Sequence, residues 1–372
     1  MTASISRRTA LTAAVVGILV VSALGITLAV SSGPDLFSSP TRAPSHTTGA
    51  TPVPTNFTWT NVTSLVGAPP SCRDSEGLVF DAELNKVVLF GGVSQCGQTN
   101  SWSQGDTWTY SGGSWTNISS TLSIAPSPRW GMAMVYDPAS QQIVLFGGTD
   151  TYGNVNDQTW VFNGTWSQVA LNATSPPALY GAGATYDPSL GGVLLYGGQA
   201  GFSGGPGTIY NATWLFKGGV WTQLNVVGPD PLRSSTLVYD AAINASILFG
   251  GFDQTTGAPS GLTWSFANGT WTQLTPSTSP PARFAAGATY DPQTGVVVLF
   301  GGFTSEFGNY NSPLSDTWTF VNGTWVNVTS PYGNGPSPRA GDRLVWDGAD
   351  GYGIEFGGQS NGVRDIDTWT FT

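Results

Sequence analysis

An apolar run closing on two glycines occurs six times in this chain, at Gly91-Gly92, Gly147-Gly148, Gly197-Gly198, Gly250-Gly251, Gly301-Gly302 and Gly357-Gly358, with a step of 50 to 56 residues. After each pair comes Thr-Trp-x-aromatic, with its tryptophan at Trp108, Trp160, Trp214, Trp264, Trp318 and Trp369. A second tryptophan, in a polar segment, stands at Trp59, Trp115, Trp166, Trp221, Trp271 and Trp325. The first of these precedes every other landmark and the last precedes the final Thr-Trp, so the N-terminal segment supplies what the last unit lacks. A period of this size built from short strands is that of a β-propeller. The offset predicts an all-β ring of six blades, four strands each, closed by the strand around Trp59.

Within one unit the strands are written a to d. Strand a ends on an aromatic-Asp pair (Phe80-Asp81, Tyr136-Asp137, Tyr186-Asp187, Tyr239-Asp240, Tyr290-Asp291, Trp346-Asp347), where the Asp side chain caps a tight turn. Strand b is the continuous apolar run, as in Val87-Val88-Leu89-Phe90, which implies burial on both faces. The Gly pair then lets two backbones approach where a side chain would clash. Strands c and d form a hairpin, and with Asn268-Gly269 at its turn Phe266 falls opposite Trp271. Asn163-Gly164 and Asn322-Gly323 are expected to turn in the same way, with asparagine at positive φ. A tryptophan needed in every unit is explained by packing between blades, so all twelve are assigned to the core.

These residues resemble the kelch repeat, and the resemblance spans residues 56–372. Its marks are the Gly pair, the spaced aromatics of strands c and d, and the Pro128-Arg129 and Pro338-Arg339 steps into strand a. One feature departs: the Asp two residues before the c-strand Trp (Asp106, Asp316, Asp367) gives way to Ala212 and Leu262, and is read as a local hydrogen-bonding element. The resemblance implies a six-bladed kelch-type propeller with short a–b and c–d turns on one face and long d–a and b–c loops on the other. It also implies a binding module, since arginines near the channel mouth of some kelch proteins hold acidic peptides. Arg73, Arg129, Arg283 and Arg339 stand seven residues before the strand-a aromatic, with Arg233 offset by one and Leu179 in the remaining unit. That predicts a broken ring of five guanidiniums able to take carboxylates bidentately. The competing reading has each arginine bonding carbonyls between adjacent blades.

Charge is scarce, 9% of residues, and the net charge is −10 with Lys86 and Lys217 as the only lysines, which excludes nucleic acid as a partner. The only histidine is His46, ahead of the repeats. The ligand set of galactose-oxidase-like kelch enzymes and a His general base are therefore both missing, and neither cofactor nor metal is expected. Carboxylates on the long loops, such as Asp150, Asp253 and Glu306, keep a carbohydrate-active enzyme, for example a sugar epimerase, as the alternative.

Residues 9–31 carry no charge, follow Arg7 and Arg8, and are long enough to cross about 30 Å of hydrocarbon. The chain divides into a short cytoplasmic tail (1–8), a transmembrane signal-anchor (9–31), a Ser/Thr/Pro-rich stalk (32–55) and the propeller (56–372). A cleaved signal peptide ending near Ala29-Val30-Ser31 is the alternative, giving a secreted protein. Ten Asn-x-Ser/Thr sequons, at Asn56, Asn61, Asn117, Asn163, Asn172, Asn211, Asn244, Asn268, Asn322 and Asn327, agree with an exported glycoprotein. Two cysteines, Cys72 and Cys96, both on the long-loop face of the first blade, are expected to be bridged. That face carries the candidate ligand-binding side chains: the five arginines with Trp102, Trp130, Tyr152, Phe202, Tyr210, Phe307 and Tyr310. The expected function is a membrane-tethered, extracytoplasmic, non-catalytic module for a protein or glycan.

Overall fold

The computed structural model describes residues 57–97, 100–170, 174–201, 207–305, 313–360 and 362–372. The tail, apolar segment and stalk of residues 1–55 lie outside the described residues, as do Asn56, Asn172, Phe202, Glu306, Phe307 and Tyr310. Among the described residues no helix is long and apolar enough to cross a membrane.

Six four-stranded antiparallel sheets account for the repeats. In the first, Gly77–Asp81, Lys86–Phe90, Thr107–Ser111 and Ser114–Asn117 run as strands a to d. The next four begin at Ala133–Asp137, Gly183–Asp187, Thr236–Asp240 and Gly287–Asp291. The sixth consists of Arg343–Asp347, Tyr352–Phe356, Thr368–Phe371 and, at its edge, Trp59–Asn61, registered Trp59 to Phe371 and Asn61 to Trp369. Strand a of every sheet contacts strand a of the next, and Gly77–Asp81 touches both Ala133–Asp137 and Arg343–Asp347.

Each landmark of the repeat has a structural cause. The Oδ1 of Asp81, Asp137, Asp187, Asp240, Asp291 and Asp347 accepts the N–H two residues on at 2.8–3.0 Å, which fixes the a–b turn. The Gly pair is forced by the neighbouring sheet. A Cβ on Gly147 would lie 2.2 Å from the Leu179 carbonyl oxygen, and the Gly148 N–H donates to that same carbonyl at 2.8 Å. The d-strand tryptophans bind sheet to sheet. Trp166, for example, packs between Phe162 of its own sheet, tilted at 48°, and Phe90 of the preceding one, edge-on at 63°. All six indole N–H groups donate to the Thr of a neighbouring Thr-Trp, in the pairs Trp59–Thr317, Trp115–Thr368, Trp166–Thr107, Trp221–Thr159, Trp271–Thr213 and Trp325–Thr263, at 2.9–3.1 Å.

A second cycle runs around the innermost strands. Ser75, Gly131, Gly181, Ser234, Ala285 and Gly341 all have φ between 53° and 72°. Each donates its N–H to the carbonyl of the one before, and Ser75 donates to Gly341, all at 2.6–2.8 Å. These six residues line the central channel.

Two expectations change. Asn268 and Asn322 have the anticipated positive φ, 51° and 52°, but Asn163 does not. Its hairpin pairs Phe162 with Trp166, leaving residues 163–165 as the loop where Phe266 and Trp271 enclose one residue more. The sequons also acquire a folding role. In Asn61-Val62-Thr63, Asn117-Ile118-Ser119 and Asn327-Val328-Thr329 the Asn Oδ1 accepts the N–H two residues on. The hydroxyl of each accepts the N–H of Thr368, Thr107 or Thr317 at 2.9 Å, closing strand d onto strand c. At these three positions the Asn-x-Ser/Thr pattern therefore has a structural use of its own.

Candidate functional site

Four of the five arginines turn inward, which corrects the expectation that all five guanidiniums face a ligand, and their carbonyl acceptors lie in their own sheet rather than in the adjacent one. Arg73, Arg129, Arg283 and Arg339 are at most 1% exposed. Each donates Nη1 to the first glycine carbonyl of its own sheet's Gly-Gly, Gly91, Gly147, Gly301 or Gly357, at 2.9–3.1 Å. The second partner is the residue two before the c-strand Trp: Asp106 bidentately at 2.7 and 2.9 Å, Gln158 at 2.7 Å, Asp316 at 2.6 and 2.7 Å, and Asp367. That acceptor is also held by the Trp indole, as in Trp318 Nε1 to Asp316 at 2.7 Å. Burial pushes the Asp106 and Asp367 carboxyls up, but Arg73 and Arg339 outweigh it and hold both below the usual range. Arg129, with no acid beside it, is lowered by burial to about 10. Where the repeat lacks this arginine, at Leu179 and Leu232, the acceptor is missing too, at Ala212 and Leu262. The pair is lost as a unit, because either half alone would be a buried polar group without its partner.

The residue immediately after each of these positions forms the mouth. Asp74, Trp130, Tyr180, Arg233, Phe284 and Ala340 occupy one repeat position, bridged to Val93, Thr149, Gln199, Phe252, Phe303 and Gln359 of the b–c loops. Most of these side chains line a cavity of about 320 Å³ that opens on the girdle of Ser75, Ser234, Ala285 and Gly341. One side is aromatic. Trp130 meets Tyr180 edge-on at 5.5 Å, and Phe284 lies 5.7 and 5.6 Å from Phe252 and Phe303. Arg233, the one arginine of the five that reaches the cavity, lies 4.5 Å over the Phe252 ring. Tyr180 donates to Gln199 Oε1 at 2.8 Å, and burial pushes its hydroxyl up to about 12. The other side is ionic: Arg364 Nε pairs with Asp74, and Nη1 donates to Gln95 at 2.6 Å and Ser101 at 3.3 Å.

Three long loops are thereby tied together. Arg364 joins the last sheet's b–c loop to the first, and Ser103 with Thr151 joins the first to the second through three hydrogen bonds of 2.6–2.9 Å. The residues beside these ties, Val363 (67% exposed), Trp102 (49%) and Tyr152 (75%), project into solvent. Tyr210, half-buried, lies away from this row in the third sheet's loop. Cys72 and Cys96 are bridged, with Cα atoms 5.7 Å apart, fastening the first loop at its base. Among the described residues no cluster of His, Cys, Asp and Glu is suited to a metal.

Sequence reasoning had named Trp130 and Arg233 but missed Asp74, Tyr180, Phe284 and Arg364. A partial signal lies in the repeat: this position changes character in every unit (Asp, Trp, Tyr, Arg, Phe, Ala), whereas the Gly pairs, aromatic-Asp turns and paired tryptophans recur. A family model, the KLHDC2/KLHL20/DRC7 Kelch-repeats domain, matches residues 52–251, more than half of the chain. With that match, and with the Gly pairs, paired tryptophans and four-stranded sheets in place, the chain belongs to the kelch-repeat family.

Proposed function

We propose that this chain is a six-bladed kelch propeller, closed by the strand at Trp59 and held outside the cytoplasm by residues 9–31, whose channel mouth docks another protein. Kelch repeats generally mediate protein binding and are typically non-catalytic. The observation that carries the assignment to the mouth is the variable ring of Asp74, Trp130, Tyr180, Arg233 and Phe284 around a 320 Å³ cavity, in a scaffold whose Gly pairs, turns and tryptophans repeat. A rigid frame that presents varied side chains is what a recognition surface requires. Trp102, Tyr152 and Val363 extend the contact outward beside the Ser103–Thr151 and Arg364 ties, which lower the entropy lost on docking. The aromatic wall facing paired charges also favours a second ligand class, a neutral glycan, which stacks on aromatic rings and hydrogen-bonds to polar ones.

Selection of a displayed random-peptide library on the protein tests the reading. Enriched peptides are expected to lose at least about tenfold in affinity on Trp130→Ala or Tyr152→Ala. They should be indifferent to Lys86→Ala and Lys217→Ala at the short-turn face. Peptides that follow the lysine substitutions instead would move the site to the opposite face. Glycan-array binding lost on Trp130→Ala, with no peptide enriched, would transfer the mouth to the glycan reading.

A further inference from the structure

Glu76 and Asp342 occupy one repeat position, three residues after Arg73 and Arg339, where the other sheets carry Met132, Ala182, Ser235 and Ala286. Both are wholly buried, and among the described residues none of their four carboxyl oxygens has a hydrogen-bond partner on another residue. The room around them is closed. A Cβ on Gly357 would lie 3.0 Å from Glu76 Oε1, and Cβ atoms on Gly287 and Gly301 would lie 2.5 and 3.4 Å from the two Asp342 oxygens.

The charges facing them are already committed. Glu76 faces Arg343 and Arg73 with Asp74, and Asp342 faces Arg339 and Arg343 with Asp365 and Glu355. Arg73 is paired with Asp106, and Arg339 with Glu355 and Asp367. Arg343 donates its Nε to the Glu76 backbone carbonyl at 2.8 Å and its Nη1 to that of Asp342 at 3.5 Å, leaving both carboxyl groups aside. A buried carboxylate anion with no partner is far costlier than the neutral acid.

Their position gives this a consequence. Glu76 follows Ser75 and Asp342 follows Gly341, and the 2.7 Å hydrogen bond from Ser75 N–H to the Gly341 carbonyl joins the first and last repeats in the inner girdle. Both Ser75 and Gly341 border the mouth cavity. We infer that Glu76 and Asp342 are carried as neutral carboxylic acids and that their ionisation loosens the seam between the first and last repeats, making the edge of the mouth proton-sensitive. Burial pushes Glu355 beside Asp342 well above the ordinary carboxylate range and, only partly offset by the arginines, pushes Glu76 up to about 8 and Asp342 to about 7. Both lie above the ordinary carboxylate range, so the folded chain binds more protons than the unfolded one. This stabilisation is complete at acid pH and is lost as pH rises through about 7 to 8.

Infrared spectroscopy reads the proton directly. A protonated-carboxyl carbonyl band is expected at about pH 5, fading as pH rises through neutrality, and reduced in the Glu76→Gln/Asp342→Asn double variant. The wild-type melting temperature should fall by several degrees between about pH 5 and about pH 8.5, with the variant's profile flatter over the same range. Amide exchange at Ser75 and Gly341, corrected for intrinsic rates, should rise with pH in the wild type. A wild-type spectrum without a protonated-carboxyl band at about pH 5 would overturn the inference even if the double variant failed to fold. So would a melting temperature at alkaline pH that calcium raises and EDTA lowers, because a cation would then be the neutralising species.

Discussion

A guanidinium withdrawn from water needs acceptors on every side, and Arg73, Arg129, Arg283 and Arg339 find them in different ways. Arg339 faces Glu355, Asp367 and Asp365. Burial alone would lower its pKa, but these three carboxylates outweigh that and hold it above the ordinary value. Arg129 has the neutral set of Gln158, Ser127 and the Gly147 carbonyl. Truncation should separate the two cases. Arg339→Ala strands the fully buried Glu355 and is expected to cost about 3–5 kcal/mol, whereas Arg129→Ala leaves neutral acceptors unpaired at about 1–3 kcal/mol. Equilibrium denaturation checks both, and equal small losses would return these side chains to the solvent-facing ring expected from sequence. Spacing placed the arginines at the approach to strand a but could not give their direction. That depends on a partner about thirty residues away, such as Asp106, 33 residues from Arg73. The joint loss of arginine and acid at Leu179 with Ala212 and at Leu232 with Leu262 was the legible clue.

At the scale of the element, the c–d hairpin works as an inter-sheet clamp. Its tryptophans were legible, because a large aromatic repeated in every unit is satisfied by packing that every unit shares; nine of the twelve are buried as expected, and Trp108, Trp264 and Trp369 are half-buried at the edge of the core. The threonines were not, since each serves an indole from another sheet, 62 residues away in the case of Thr263 and Trp325. Thr263→Val keeps the shape and removes the acceptor, leaving the buried Trp325 N–H unpaired at about 1–3 kcal/mol. Thr263→Ser should recover most of that. A valine variant as stable as wild type would show that packing alone holds the clamp.

For the whole molecule, the edge strand Trp59–Asn61 is the piece on which the last sheet depends. Trp59 packs on Phe300 and Phe371, both within 5.1 Å, and donates to Thr317, so it seals the fifth sheet against the sixth as well as covering Thr368–Phe371. A chain beginning at residue 66 should melt well below one beginning at residue 57 and aggregate on heating, because an unpaired strand edge and an apolar face become exposed together. Matching melting curves would refute the closure.

The sequence by itself determined the number of sheets, the strand order within them, the turn chemistry and the tryptophan core. All of these rest on contacts that every repeat shares, within its own sheet or with the next one, and a pattern written six times reports them. Only the tertiary structure decided which way the arginines point, which neighbouring residue faces the cavity, and that Glu76 and Asp342 lie buried without partners. Those properties depend on where adjacent sheets come to rest against one another, and a difference of one residue along an innermost strand separates the interior of a sheet from the mouth of the channel.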